Sequence, residues 1–364
     1  MTIAHINRIG TAVPENDIHF PFTAFARTLL TDDKSRKLFD RMAERMSIAH
    51  RYSILGPGDA AAGEIDSAGF YRRGQFPGTA ARMAMYEKHA LALALRAVDA
   101  LDIGAELARI THLVVASCTG FTAPGLDLQL TEALGLRRDV QRTIVGFMGC
   151  SAAVPALRLA HQAVRSDPQA RVLVVNLELC SLHLQESSDI EPVLSFMLFG
   201  DGCSAALVTG DVAGIALRDF NAAVIPNSQD LIQWHIGDQG FDMHLSGQVP
   251  GRIAHALRDE LARTDNGGML HGEGTQVVDL WAIHGGGHTV LDAVEVGLGL
   301  GETALRQSRR VLYDYGNMSS ATVMFVLERM LQEGVNAGAG GRGLAMAFGP
   351  GMVAETFRFN LLAA

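Results

Sequence analysis

Cysteine is scarce in this chain, with four in 364 residues, at 118, 150, 180 and 203. No two stand in a C-x-x-C spacing, which argues against a zinc knuckle or a redox pair. Isolated thiols of this kind fit a reducing cytoplasm. Positive charge is also short: 30 Lys and Arg face 39 Asp and Glu, a formal net charge of −9. That balance speaks against a general nucleic-acid or anionic-membrane surface. No run of about 18 uncharged apolar residues occurs, so no membrane span is expected. The opening, Met1 to Arg8, lacks an apolar stretch, and no signal peptide is expected. What is present is ordinary globular material, 48% apolar and 19% charged, long enough for two domains or one large α/β unit.

The pattern along the chain repeats. Residues 20–55 read as helical and carry Arg41, Arg45 and Arg51; residues 77–107 read as a long helix. Thr111 to Cys118 is a buried-strand pattern ending in a Gly-Pro loop. A helix is predicted from Cys150 to about Ser166, with Pro155 early enough that its missing N–H is nearly harmless. Arg171 to Leu179 is a second buried strand. In the C-terminal half, Val278 to His284 resembles the first strand, Ser319 to Arg329 the helix, and Arg342 to Phe348 the second strand, at a nearly constant offset. Such order indicates an internal duplication, with halves at 1–215 and 216–364. Strands apolar on both faces belong inside a sandwich covered by helices. The glycine-rich stretch 334–343 reads as a mobile surface loop.

Three residues carry chemistry. Cys150, in Gly149-Cys150-Ser151-Ala152-Ala153, falls at the expected N-terminus of a helix, whose positive end favours a thiolate. His284 precedes three glycines, and Asn317 sits in Tyr315-Gly316-Asn317-Met318-Ser319-Ser320. A thiolate beside an imidazolium titrates at about 3.5–7.5 instead of about 8.5, and can take an acyl group from a thioester. The Asn317 amide and a ring N–H of His284 would form a two-donor hole for a thioester oxygen or an enolate. His284 and His288 are four apart, but the intervening glycines speak against one helical face, so no metal site is expected.

Taken together, these motifs resemble the type III polyketide synthases, the chalcone synthase-like enzymes of the thiolase fold. The likeness runs from Ile9-Gly10-Thr11-Ala12-Val13-Pro14 through Ser117-Cys118-Thr119-Gly120, Ala123-Pro124-Gly125, Gly149-Cys150 and Leu198-Phe199-Gly200-Asp201-Gly202. It ends with Trp281-Ala282-Ile283-His284, Gly316-Asn317 and Phe348-Gly349-Pro350-Gly351. The resemblance implies an αβαβα five-layered sandwich of two pseudo-duplicated halves, and a bacterial-type homodimer. Cys150 is then the loading site, and His284 and Asn317 activate the thioester carbonyl and support malonyl decarboxylation. Phe199 matches a gatekeeper between cavity and CoA tunnel; Met243 falls where plant members carry a second gatekeeper phenylalanine. Trp234 replaces a glycine of the elongation cavity, and Ala123 a methionine that reaches the partner's cavity. Cys118, Thr119, Leu182, Leu198 and Ser319 are implied cavity residues. Arg41, Arg45, Gly286 and Gly287 are implied at the CoA site.

The implied reaction loads an acyl-CoA starter, extends it with malonyl-CoA and cyclises it to an alkylpyrone, resorcinol or phloroglucinol ring. It needs no metal, prosthetic group or carrier protein. Small residues such as Ala123 favour a fatty acyl starter. Three other readings are distinguishable. A ketoacyl synthase III-like enzyme condenses once, but its His-Gln-Ala-Asn context is absent. A serine hydrolase needs a G-x-S-x-G elbow, and Gly149-Cys150-Ser151-Ala152-Ala153 ends in Ala. A non-catalytic scaffold would keep its function in Cys150→Ala.

Overall fold

The apolar runs identified as buried strands form the middle of two helix-covered half-sheets. The computed structural model describes residues 2–59, 62–263, 265, 267–270 and 272–363. Its strands are β1 (His5–Ala12), β2 (Asn16–Asp17), β3 (Tyr52–Ser53), β4 (His112–Ser117), β5 (Gln141–Gly146), β6 (Val172–Leu179), β7 (Asp201–Thr209), β8 (Ile215–Val224), β9 (Ile232–Gly237), β10 (Gly240–Leu245), β11 (Leu280–Ile283), β12 (Gly341–Gly349) and β13 (Val353–Leu361). The α-helices are α1 (His19–Leu29), α2 (Asp33–Arg45), α3 (Thr79–Asp99), α4 (Leu126–Ala133), α5 (Ala153–Ser166), α6 (Ile190–Leu198), α7 (Val249–Leu261), α8 (His288–Leu298), α9 (Arg306–Tyr315) and α10 (Ala321–Ala337).

The main sheet has nine strands in the order β11-β12-β13-β8-β1-β7-β6-β4-β5. The duplication shows in its pairing. In one half β4 runs parallel to β6, and β6 antiparallel to β7, which pairs with β1. In the other, β11 runs parallel to β12, and β12 antiparallel to β13, which pairs with β8. A short contact, His5 with Ala216 and Ile6 with Ile215, joins the halves edge to edge. The linking loop spans 210–214, so the expected cut after residue 215 falls on the first residue of β8.

Alternation along each strand builds the layers, because successive side chains point to opposite faces. Val114, Val172, Val174 and Ala206 pack inward with α5 and α10, against Ala345, Ala347 and Phe357 of the other half-sheet. Leu113, Val115, Leu173 and Val175 point outward to α3 and α4. Ile283, Leu344, Met346 and Phe348 point outward to α7 and α8. The result is helix, sheet, helix, sheet, helix, the five-layered sandwich expected. Every residue of β6 is buried, which is why the strand reads as a continuous apolar run.

Two expectations need adjusting. The single helical stretch expected over 20–55 is two helices, broken after Leu29 and ending at Arg45, so that Arg51 lies in the segment before β3; Asp32 caps α2 by accepting the Ser35 N–H at 2.9 Å. The glycine-rich stretch 334–343 is mostly ordered structure. Residues 334–337 are the last turn of α10, Gly338 closes it at φ 59, and β12 begins at Gly341. Glycine there supplies the left-handed C-terminal cap rather than a loop. Among the described residues no helix is long and apolar enough to cross a membrane.

Candidate active site

The turn that carries Cys150 is built by unusual backbone. Between β5 and α5, Phe147 has φ 57 and Gly149 φ 62. A Cβ on Gly149 would lie 2.4 Å from Pro350 Cδ, so only glycine lets this turn close on the Gly349-Pro350-Gly351 loop. Cys150 sits in the resulting 3-10 turn, Gly149–Ser151, which leads directly into α5. Its own backbone N–H favours the charged form of its sulfur.

His284 stands just past β11, its backbone N–H donated to the Met346 carbonyl at 2.8 Å. Asn317 is held by a bridge to Phe199: its N–H donates to Leu198 O at 2.9 Å, and its carbonyl accepts from Gly200 N at 3.0 Å. Gly316, at φ 68, makes this crossing; a Cβ there would lie 2.6 Å from Arg51 Cγ. The Asn317 side chain is oriented at both ends. Its Oδ1 accepts the Ser319 N–H at 2.8 Å, which turns Ser319 to φ 48, and its Nδ2 donates to the Gly286 carbonyl at 3.3 Å. This pattern assigns the amide and leaves the second N–H of Nδ2 for the Cys150 sulfur, whose charged form the Asn317 amide favours.

Cys150, His284 and Asn317 line one recess of about 50 Å³, with Phe199, Trp234 and Met243. A cavity of about 990 Å³ adjoins it, sharing Phe199, Trp234, Met243 and Gly286 as walls. This cavity runs past Leu198, Gly287 and His183 to Met42, Arg45 and Met46 on and just beyond α2. Arg45 therefore reaches the cavity. Arg41 does not line it; its Nε donates to Lys37 O at 3.3 Å on the exposed side of α2. The Phe199 carbonyl accepts from the guanidinium of Arg51 at 2.8 Å. Arg51 is fully buried, and burial lowers its pKa to about 9, so it stays charged at neutral pH while fixing this wall.

Several expected lining residues stand elsewhere. Leu182 packs into the core under α3, where β6 ends and the chain turns away. Cys118 and Thr119 are buried behind the Cys150 turn: Cys118 Sγ contacts the Gly149 carbonyl at 3.4 Å, and Thr119 Oγ1 donates to Glu178 at 2.9 Å. Neither lines the recess or the large cavity. Ala123 is exposed on the loop before α4. Ser319 is buried beside the sulfur, and its Oγ has no nitrogen or oxygen partner in the resting site.

The thiolate expected from sequence is not what burial favours. Cys150 keeps part of its surface accessible but is ringed by protein, and loss of water pushes its thiol up to about 11. The Ser319 hydroxyl and Asn317 amide pull it down and the buried Glu178 pushes it further up. Burial likewise drops His284 to about 4, and neither ring nitrogen has a hydrogen-bond partner. Desolvation opposes each charge, so the site by itself favours the neutral thiol and the neutral imidazole. Helix position, the signal legible in sequence, is outweighed here by burial, which is not.

Glu178 gave no signal in the sequence, because in β6 it reads, like Asn176, as a polar residue near the end of an otherwise apolar strand. Its carboxylate accepts from Cys118 N at 3.0 Å, Thr119 Oγ1 at 2.9 Å and Ser320 Oγ at 2.5 Å. Burial raises it to about 7 despite these donors.

Two family models cover the chain: the N-terminal domain of chalcone and stilbene synthases matches residues 2–212, and the C-terminal domain residues 217–362. The alpha-pyrone synthesis polyketide synthase-like protein Pks18 of Mycobacterium tuberculosis is 34% identical over 377 residues, covering 99% of this chain and 92% of that one. Bisdemethoxycurcumin synthase of Oryza sativa subsp. japonica is 33% identical over 379 residues, covering 97% and 91%. Among solved structures, PKS-I from the brown alga Ectocarpus siliculosus superposes with a TM-score of 0.84 at 29% identity, covering 100% of this chain and 99% of that one. The C-terminal type III polyketide synthase domain of Steely1 from Dictyostelium superposes at 0.86 with 23% identity over 100% of both chains, a likeness of fold. The chain therefore belongs to the chalcone and stilbene synthase family and is a type III polyketide synthase, an acyltransferase that forms carbon–carbon bonds.

Proposed function

We propose that Cys150 is the loading site, with His284 and Asn317 as its two partners. The observation that carries this reading is their convergence on one recess beside a cavity large enough for a CoA arm. The Cys150 sulfur attacks the carbonyl of an acyl-CoA starter while its proton passes to His284. The carbon–sulfur bond to CoA breaks, and the CoA thiol leaves with that proton. Malonyl-CoA then loses carbon dioxide, and its enolate oxygen is held by the second N–H of Asn317 and a ring N–H of His284. The enolate carbon attacks the acyl carbonyl, a carbon–carbon bond forms, and the Cys150 thiolate is released. Repetition and ring closure give an alkylpyrone, resorcinol or phloroglucinol-type product; the α-pyrone named for the mycobacterial relative supports the first. Arg45 at the cavity mouth suits the CoA phosphates.

The reactants are CoA thioesters alone, with no metal, prosthetic group or carrier protein, and the four free thiols suit a reducing cytoplasm. A homodimer is supported by β5, an edge strand with four successive exposed residues. Ile144 on it, with Phe121 and Met148 nearby, forms an exposed apolar set of the kind that partners cover.

Incubation with a panel of acyl-CoAs plus malonyl-CoA, read by product mass, tests the function. An acyl adduct on Cys150 and a multiply extended product are expected, both lost in Cys150→Ala. Product that persists in Cys150→Ala, or forms only from malonyl-carrier protein in a single condensation, would overturn it.

A further inference from the structure

Arg51 lies just before β3 and is fully buried, and among the described residues no carboxylate oxygen stands within ion-pairing distance of its guanidinium. Asp17 and Asp201 balance its charge only at longer range. A buried cation without a contact ion costs stability, and the contacts of the fork show what it secures. Nη1 donates to the Phe199 carbonyl at 2.8 Å, Nε to His19 Nδ1 at 3.0 Å and Nη2 to the His19 carbonyl at 3.3 Å. His19 Nδ1 accepts, so that ring is the neutral tautomer with its proton on Nε2. The fork is thus held from behind by the first residue of α1 and points one donor at the chain beside Asn317.

The aliphatic stem is placed as closely as the head. A Cβ on Gly316 would lie 2.6 Å from Arg51 Cγ, and one on Gly200 would lie 3.4 Å from Arg51 Cβ. These two glycines flank the crossing in which Asn317 N donates to the Leu198 carbonyl and Gly200 N to the Asn317 carbonyl. The Phe199 N–H donates to the Ser195 carbonyl of α6 at 3.2 Å. The crossing is therefore held by α6 on one side and by Arg51 on the other. We propose that Arg51 is a positioning residue for malonyl-CoA decarboxylation: by holding the Phe199 carbonyl and packing between Gly200 and Gly316, it fixes the crossing that aims the Asn317 amide at the enolate oxygen. The physical reason is preorganisation. Contacts with Ser319 and Gly286 set the rotation of the amide, but the crossing sets where its Cα stands. An oxyanion donor works because it is already in place when charge develops, and a misplacement of about 1 Å can cost about 10²-fold. Arg51 lines neither the recess nor the large cavity, so its effect passes through Asn317.

This inference rests on Asn317 being an enolate donor, and a double-mutant cycle separates the two. Wild type, Arg51→Met, Arg51→Lys, Asn317→Ala and the double variant Arg51→Met with Asn317→Ala are compared as whole chains. Carbon dioxide release from malonyl-CoA without starter is read beside acyl-Cys150 formation from an acyl-CoA without malonyl-CoA. Arg51→Met keeps the stem and removes the fork; it is expected to slow decarboxylation by about tenfold or more and loading by less. In the Asn317→Ala background the same substitution is expected to change decarboxylation by less than about twofold, because the residue it acts through is gone. Arg51→Lys keeps one charged donor for the Phe199 carbonyl and is expected to recover part of the rate. If Arg51→Met does not fold, His19→Ala takes its place in the cycle; it keeps the arginine but removes the acceptor that aims Nε, and is expected to give a smaller fall that again vanishes in the Asn317→Ala background. Equal losses in both backgrounds, parallel losses of loading and decarboxylation, or a Lys variant no faster than Met would overturn the inference. Asn317→Ala decarboxylating at the wild-type rate would instead refute the donor role of Asn317, on which the inference rests.

Discussion

His284→Ala should make Cys150 slow to alkylate at neutral pH. Burial without an imidazolium holds this thiol at about 11, so roughly one sulfur in 10⁴ is a thiolate at pH 7, by the tenfold-per-unit rule. With the imidazolium formed alongside it, the thiolate should titrate at or below about 7.5, as paired cysteines do. The thiolate fraction then differs by on the order of 10³–10⁴. Nucleophilicity works the other way. With a Brønsted coefficient of about 0.4–0.5, a thiolate of pKa near 11 is intrinsically some 10^1.5–10²-fold more reactive. The net expectation is a fall of about 10²-fold in the iodoacetamide rate at pH 7. The pH profile should change as well: flat above about 7.5 in wild type, and rising tenfold per unit up to about 11 in the variant. Background is small, because Cys118, Cys180 and Cys203 are buried and burial pushes each thiol upward. Cys150→Ala supplies the blank. Equal rates and parallel profiles in wild type and His284→Ala would refute the paired-charge argument, while leaving Cys150 as nucleophile open to the product assay.

Asn317→Ala should lower malonyl-CoA decarboxylation by about 10²–10³, the usual effect of losing one oxyanion donor, measured as carbon dioxide release. It also frees the Ser319 N–H that Oδ1 accepts, so thermal unfolding should accompany the kinetics; loss of rate only in proportion to loss of folded protein would remove the electrostatic role. Glu178→Gln should stabilise the protein at pH 8. The carboxyl is raised from 4.5 to about 7, so the native state binds the extra proton between those values, and stability present below about 4.5 is lost as pH rises through 7. Gln keeps acceptance from Cys118 and Thr119 and can donate to Ser320, so a gain of up to about 3 kcal/mol is expected, growing with pH; a pH-independent difference would contradict the sign. Gly316→Ala should cost about 1–3 kcal/mol, because φ 68 is strained for alanine and its Cβ would meet Arg51 and the Leu198 carbonyl; a melting temperature unchanged from wild type would show that Arg51 yields freely.

Much of the fold was legible because it is written in short-range pattern. The continuous apolar run of β6 and the repeated strand–helix–strand order express burial on two faces, and burial of that kind leaves few architectures. The Cys150, His284 and Asn317 motifs were legible because each needs a local backbone that only particular neighbours allow, glycine at 149 and 316 above all. The cavity walls were legible in part. Phe199, Trp234 and Met243 were found, but Leu182, Cys118 and Thr119 lie one layer further in, since a strand's end does not reveal which way the chain then turns. His183 and Glu178 were missed because a lone polar residue near an apolar strand looks the same whether it is satisfied packing or part of a site.

The sequence by itself determined the duplicated sandwich, the family's chemistry and the three motifs proposed to carry it, because periodicity and motif are properties of neighbours along the chain. Only tertiary structure decided the charge state favoured at Cys150 and His284 and the volume beside the sulfur. Those depend on how much water the surrounding elements exclude, and on contacts such as Arg51 with Phe199 that join residues far apart in the chain.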